Sequence, residues 1–218
     1  QPVAPDRETQ VVLDGGQMRL GFPAGSVYEL LFPQAELFRP AGTEHLVSAG
    51  IGYELGPAAT SFDRKVEVAL RYSTTVEKPE KLGIYRLSDK GKYHFVDNQL
   101  YLPQRRVGAR VRQFSRYALM ADEKPPAVGR LEPASGAVVG RRPRLAAWVE
   151  DRGAGIGKEE DVVMELDGKR LISEYDPDGR TVEHQIEEDL APGKHRLVVR
   201  VRDNSGNEAA ARSDFVVK

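Results

Sequence analysis

Cysteine is missing from this chain of 218 residues, and so are long hydrophobic runs and any excess of charge of one sign. Without cysteine there are no disulfides, no thiolate metal ligands and no thiol nucleophile. No apolar stretch approaches the ~20 residues needed to cross a bilayer, and no segment has the charged start and apolar core of a signal peptide. We therefore expect no membrane-spanning segment. Because the chain begins at Gln1 and not at methionine, we expect processing or origin in a longer protein.

The charges nearly cancel, since 32 Lys and Arg residues stand against 33 Asp and Glu residues. A surplus of positive charge is what attracts a protein to nucleic acid or to an anionic membrane. We therefore expect no nucleic acid among the partners. Two short basic groups, Arg105-Arg106 and residues 141–144, are candidates for contact with anionic polysaccharide or phosphate. Short basic groups near turns are ordinarily solvated surface, and we expect that here.

Glycine and proline are frequent by contrast, with 21 and 14 residues, at intervals too short for helices of average length. Between them lie short alternating or β-rich segments that predict strands. In the first half these are residues 11–13, 18–22, 45–48, 51–55, 66–72, 82–87, 93–96, 106–112 and 116–121. In the second half they are residues 128–131, 144–150, 162–166, 169–172, 181–186, 195–202 and 209–217. The one helical turn expected spans residues 157–161.

A charged, stiff segment at residues 122–126 separates the two sets of strands, and its adjacent prolines do not fit a central strand. The sequence therefore predicts an all-β chain of two tandem antiparallel β-sandwich domains, residues 1–123 and 124–218. Seven strands in about ninety residues make the second domain immunoglobulin-like. In the predicted strand at residues 195–202, apolar residues alternate with charged ones, which places Leu197, Val199 and Val201 together on the face toward the core. Trp148, the only tryptophan, is expected to fill that core.

Short motifs recur in both domains. Those of the first are Phe22-Pro23-Ala24-Gly25-Ser26, Tyr53-Glu54-Leu55-Gly56-Pro57, Leu82-Gly83-Ile84-Tyr85-Arg86 and Phe114-Ser115-Arg116-Tyr117-Ala118-Leu119. They resemble a ZU5-type β-sandwich, whose last strand commonly reads Phe-Ser-x-Tyr-Ala-Leu. Those of the second are Glu150-Asp151-Arg152-Gly153-Ala154-Gly155-Ile156, Leu166-Asp167-Gly168-Lys169, Tyr175-Asp176-Pro177-Asp178 and Val201-Arg202-Asp203-Asn204-Ser205-Gly206-Asn207. They resemble the bacterial Ig-like repeat.

Such modules occur in the C-terminal regions of secreted bacterial proteins, including zinc peptidases of the cell-wall-cleaving M23 type. The resemblance implies a periplasmic or cell-surface location and a larger protein whose flanking domains are the partners. No peptidase motif accompanies the modules, since neither His-x-His nor His-x-x-x-Asp is present. Some eukaryotic relatives of the ZU5 sandwich cut themselves at a Phe-Ser bond with the help of a neighbouring histidine. Here Gln113 precedes Phe114-Ser115, and glutamine cannot act as the base, so we expect no cleavage.

No other catalytic constellation is present. The four histidines are isolated and lack metal-ligand spacing, and no serine has the surroundings of a nucleophile. Gly153, Gly155 and Gly157 alternate in a loop without the strand-to-helix switch of a phosphate-binding motif. We therefore expect no enzymatic activity, no catalytic residues and no organic cofactor.

Oxygen ligands gather in three loops of the second domain, as calcium requires. They are Asp151, Asp176, Asp178, Asp203, Asn204 and Asn207. The same residue types are also selected by turns for backbone reasons, and that is the competing explanation. If calcium binds, Asp151, Asp203 and Asn204 are the expected ligands.

Three functions follow from these features. The first is a non-catalytic accessory module that spaces or orients neighbouring domains. The second is binding of cell-wall or surface polysaccharide, or of a surface protein, for which exposed rings would stack on sugars. The candidate rings are Tyr28, Tyr53, Tyr85, Tyr93, Tyr101 and Tyr175. The third is an adhesive arm made rigid by calcium.

Overall fold

The computed structural model describes residues 1–58 and 60–218, which form two compact units, Gln1–Glu123 and Lys124–Lys218. Strands account for 52% of the residues and helix for 6%, so the expected all-β fold is confirmed. None of the helices in the described residues has the length and hydropathy that a bilayer crossing needs. They are single 3₁₀ turns at Asp14–Gly16, Pro79–Lys81, Leu102–Gln104 and Glu159–Asp161.

The first unit is a sandwich of two antiparallel sheets. One sheet has the order β1-β2-β6-β10-β9, and the other has the order β3-β5-β11-β7-β8 with β4 paired to β11. The strands are β1 (Thr9–Leu13), β2 (Met18–Phe22), β3 (Gln34–Phe38), β4 (Val47–Ser48), β5 (Gly52–Gly56), β6 (Ser61–Arg71), β7 (Leu82–Leu87), β8 (Tyr93–Asp97), β9 (Gln99–Tyr101), β10 (Arg106–Gln113) and β11 (Arg116–Ala121).

Period-two alternation decides which side of a strand enters the core. In β2, Met18 and Leu20 are fully buried, whereas Arg19 between them lies on the outer face. The inward side chains of both sheets form one hydrophobic cluster. Three of its rings meet edge to face, namely Phe22, Phe62 and Phe114.

A smaller apolar cluster covers the opposite face of β7 and β11. Tyr85, Ala118 and Met120 are fully buried there together with Leu46. The ring of Tyr85 also meets Phe95 edge to face, with 5.4 Å between the centroids. Because both faces of these two strands are covered, their sequences are nearly continuous apolar runs.

The second unit is also a sandwich, with sheets in the orders β12-β14-β18-β17 and β13-β20-β19-β15-β16. All pairs are antiparallel except β13 with β20. Two of its strands, β13 and β16, are only two residues long. The strands are β12 (Ala127–Glu132), β13 (Val138–Val139), β14 (Arg144–Glu150), β15 (Val162–Leu166), β16 (Lys169–Arg170), β17 (Glu174–Asp176), β18 (Thr181–Gln185), β19 (Gly193–Arg202) and β20 (Glu208–Val217). The core includes Leu197, Val199 and Val201, as their alternation predicts.

The prediction for Trp148 was wrong. Leu145, Ala147 and Val149 face the core of the second unit, so residue 148 points to the other side of β14. Trp148 is half-buried there, and the guanidinium of Arg130 lies 5.6 Å from its ring centroid. A cation over the indole face partly covers the ring in place of core packing.

Candidate functional site

The loops that carry the candidate calcium ligands meet at one end of the second unit. Strand β14 ends next to Asp151, and Trp148 near that end pairs with Thr181 at the start of β18. Asp176 at the end of β17 also pairs with Thr181. The turn between β17 and β18 therefore lies at the same end as Asp151.

Asn204 ties the loop after β19 to the loop after β14. Its backbone N–H donates to the carbonyl of Gly155 at 2.9 Å, and its side-chain Nδ2 donates to the carbonyl of Ala154 at 2.9 Å. The side-chain Oδ1 lies over Gly157, where a Cβ would come within 2.1 Å of it. The structure thus brings Asn204 to the loop of Asp151, and both halves of its side-chain amide lie against that loop.

Both candidate aspartates accept hydrogen bonds that shape their own turns. Asp151 Oδ2 accepts from the N–H groups of Gly153 at 3.1 Å and Gly155 at 2.6 Å. Asp203 Oδ1 accepts from the N–H of Asn207 at 2.8 Å, and its Oδ2 accepts from the Asn207 amide at 2.7 Å. These are the local side-chain bonds that make Asp and Asn frequent in turns.

The two carboxylates nevertheless lie close together, with oxygens of Asp151 and Asp203 within 4.8 Å of each other. Asp203 is only 3% exposed, so this part of the site is largely shielded from water. The half-buried ring of Tyr175 lies nearby: burial raises the pKa of its hydroxyl, and the charges of Asp176 and Asp151 raise that pKa further. Two carboxylates that are partly shielded from water repel each other when both are charged. A hard cation such as calcium, which binds oxygen ligands, is one way to offset that repulsion.

The remaining candidate calcium ligand, Asp178, lies in the β17–β18 turn. Its backbone N–H donates to Asp176 Oδ1 at 3.0 Å. Asp176 Oδ2 lies over Gly179, where a Cβ would come within 2.4 Å of it. Asp176 therefore shapes its own turn, as Asp151 and Asp203 do.

The candidate sugar-binding tyrosines are dispersed. Only Tyr28 is strongly exposed, at 78%, and its hydroxyl donates to Asp63 at 3.3 Å. Tyr53 and Tyr85 are buried in the first unit, and the other three are half-buried. These six side chains offer one exposed ring in place of the row that stacking on a polysaccharide would need.

Residues 141–144 lie on the surface in ion pairs. Arg142 Nε is 2.8 Å from Asp189, whose pKa it lowers by donating a hydrogen bond, and Arg141 is 3.7 Å from the same carboxylate. Arg144 is 3.2 Å from Glu132. The expected solvated surface is found for this group.

For Arg106 that expectation was wrong, because this side chain is only 7% exposed. Its guanidinium lies along the outer face of the β1-β2-β6-β10-β9 sheet and donates to the carbonyls of Gln17 and Ala69, both at 3.3 Å, and of Gly16. A sequence alone gives no sign of this, because the acceptors lie far away along the chain, two in the turn before β2 and one on β6.

The histidines that could serve as bases are held by nearby polar groups. His195 lies between Asp167 Oδ2, 2.7 Å from its Nδ1, and the carbonyl of Ala191, 2.8 Å from its Nε2. Both contacts, the Ala191 carbonyl first and Asp167 after it, raise the pKa of His195, and burial opposes them. His184 Nδ1 is 2.7 Å from the carbonyl of Ile172.

No family model matches the chain, and no curated protein sequence matches it. Solved structures with similarity include CopC from Methylosinus trichosporium OB3b, which is 17% identical, with a TM-score of 0.35, over 43% of this chain and 93% of CopC. Dimeric latent PorU from Porphyromonas gingivalis is 13% identical, with a TM-score of 0.35, over 74% of this chain and 22% of PorU. Both proteins are bacterial.

Proposed function

We propose that this chain is a non-catalytic accessory module of a larger extracytoplasmic bacterial protein, in which a ZU5-like and an Ig-like sandwich space or orient flanking domains. The observation that carries the proposal is the use of the reactive side chains within the fold. Asp151 and Asp203 bind backbone N–H groups of their own turns, and His195 is held between a carboxylate and a carbonyl. Each sandwich has its own core, so its loops are free to differ without loss of the fold.

The Phe114-Ser115 bond supports the same proposal. Phe114 is buried in the core of the first unit, and the carbonyl of Gln113 before it accepts the hydroxyl of Tyr117 at 2.8 Å. A self-cleaving bond needs a base beside the serine, and the side chain of Gln113 cannot accept a proton at neutral pH. We expect the chain to remain intact on storage, as measured by intact mass.

Sedimentation with insoluble cell-wall polysaccharide tests the spacer against a carbohydrate-binding module. We would use about 0.5 M salt, which screens charge contacts but leaves ring stacking intact. A spacer stays in the supernatant. If the protein pellets with the polysaccharide and the exposed ring is responsible, Tyr28→Ala returns it to the supernatant while Tyr85→Phe, a change within the core, does not. That result would replace the spacer by a binding module.

Calcium is the second candidate, because the structure brings Asp151 and Asp203 within 4.8 Å of each other. A ligand that binds only the folded state stabilises that state by about 2.7 kcal/mol when its concentration is about a hundred times its dissociation constant. Equal melting temperatures in calcium and in chelator support a plain spacer. A higher melting temperature in calcium that is lost in Asp151→Asn and kept in Asp189→Asn would support a calcium-rigidified arm.

A further inference from the structure

Three arginines stand together on the outer face of the β1-β2-β6-β10-β9 sheet. Arg71 on β6 pairs directly with Arg106 on β10. Arg19 on β2 pairs with Ala69, which lies two residues before Arg71 and on the same face of β6. Arg19, Arg71 and Arg106 therefore occupy adjacent positions on three neighbouring strands, and we call them the arginine cluster.

Carboxylates do not neutralise this cluster in the described part of the chain. Arg106 donates to the backbone carbonyls of Gly16, Gln17 and Ala69. Arg19 Nε is buried and has no hydrogen-bond partner among the described residues. Within those residues no carboxylate oxygen lies within 4.0 Å of any of the three guanidinium groups.

Two acidic groups, one on the same sheet face and one in the turn before β2, accept hydrogen bonds from tyrosines. Glu67, which lies on the same face of β6 as Arg71, accepts a hydrogen bond from the hydroxyl of Tyr101. Asp14, in the turn before β2, accepts from the hydroxyl of Tyr53 at 2.7 Å. The like charges therefore act on one another: burial lowers the pKa of Arg106, and Arg19 and Arg71 lower it further.

A cavity adjoins the cluster at Arg71. Its volume is about 440 Å³, and its walls include Gln17, Tyr53, Tyr72, Arg71 and Arg105. Arg105 adopts a left-handed backbone conformation, with φ of 49°. Arginine does not favour positive φ as glycine does, so the backbone of Arg105 is strained. Strained backbone positions are common at binding sites. The cavity gives room for the remainder of a ligand whose charged end lies at Arg71.

We infer that the arginine cluster binds a phosphate group. Guanidinium forks match the oxygens of phosphate, and a doubly charged anion offsets the mutual repulsion of three cations better than a single carboxylate does. Arg19 Nε has no acceptor among the described residues, so the chain itself does not offset the charge there. The inference goes beyond the spacer function and does not depend on it, because a spacer with or without an anion site is equally non-catalytic.

Calorimetric titration of the full chain with inorganic phosphate tests this site. We expect saturable binding that weakens by about tenfold or more in Arg71→Gln, since Arg71 is the exposed member of the cluster. Arg71→Lys keeps the charge but loses the fork, so it binds with intermediate affinity. The matched control is Arg110→Gln, on the outer face of β10 but paired with Glu67, which binds phosphate as the wild type does.

Melting in phosphate-free buffer supplies a second readout. Removing one of three repelling charges leaves the melting temperature of Arg71→Gln equal to or above that of the wild type, and abolishes the rise on adding phosphate. Arg19→Gln repeats both measurements in case one variant folds poorly.

Vesicles with and without phosphatidic acid distinguish a lipid headgroup from free phosphate. Binding to inorganic phosphate, or to the vesicles with phosphatidic acid alone, supports the site and identifies the source. Failure to bind either probe overturns the inference, and so does an equal loss of affinity in Arg110→Gln and Arg71→Gln. None of these results alters the sedimentation test of the spacer, which is run in salt that screens the cluster.

Discussion

The side-chain oxygen of Asn204 occupies the space in which a side chain at residue 157 would begin, 2.1 Å from the position of a Cβ on Gly157. The same amide donates to the carbonyl of Ala154. Asn204 in this position therefore requires glycine at residue 157, and its bonds to Ala154 and Gly155 hold the long loop after β14 against the last hairpin of the second unit.

Gly157→Ala should therefore destabilise the second unit. The added methyl group forces Asn204 to move and to give up its bond to Ala154, at a cost of about 1–3 kcal/mol. Urea unfolding of the full chain measures the change. Gly129→Ala is the control, because a Cβ there meets no atom within 4 Å. Equal stabilities for the two variants would contradict the close contact.

A second test of stability concerns Tyr117, whose ring is buried and whose hydroxyl makes a hydrogen bond. Its hydroxyl donates to the carbonyl of Gln113 at 2.8 Å, and burial raises its pKa to about 12. Tyr117→Phe leaves this carbonyl without its partner, which we expect to cost about 1–2 kcal/mol in urea unfolding. The exposed hydroxyl of Tyr28 gives the control, and Tyr28→Phe should change stability by less than about 0.5 kcal/mol. Similar effects of the two changes would show that the buried bond contributes little.

The sequence predicted every strand that has a neighbour on both sides, but missed four of the strands at sheet edges. The bounds of β2, β7, β11, β14 and β15 agree with the predicted ranges to the residue. The strands that were not predicted are all at edges, namely β3, β9, β13 and β17. An edge strand has one partner and is mostly exposed, so its side chains carry little apolar alternation; β3, for example, contains no fully buried residue. For that reason the second unit has nine strands in place of the seven expected.

The candidate site was predicted in the same uneven way. Turn chemistry is local, so the sequence identified Asp151, Asp203 and Asn204, and the structure brings their loops to one end of a sandwich. The arginine cluster depends on which residues of distant strands stand side by side. Arg19 and Arg106 are separated by 86 intervening residues in the sequence. Only the pairing of β2, β6 and β10 places them on one face, and no single segment shows it.

Loss of the proton from His195 should make the second unit less stable at higher pH. Its folded pKa is raised above the unfolded value of 6.5, first by the Ala191 carbonyl and then by Asp167. Stability from the protonated form is therefore complete below pH of about 6.5 and is lost as pH rises through the folded pKa. We expect an NMR titration to place the pKa of His195 above 6.5, and Asp167→Asn to lower it. A pKa at or below 6.5 in the wild type would refute the assignment.

The environment of Trp148 can be read directly, because it is the only tryptophan in the chain. Its ring lies on the outer face of β14 under the guanidinium of Arg130. Removing that cover in Arg130→Ala should shift the emission to longer wavelength and increase quenching by iodide, at a cost of about 0.5–1 kcal/mol for the lost cation–π contact. Arg110→Ala, in the other unit, should leave the spectrum unchanged. If the emission lies at short wavelength and does not change in Arg130→Ala, the ring is in the core, as its size first suggested. Strand β14 would then need a different register.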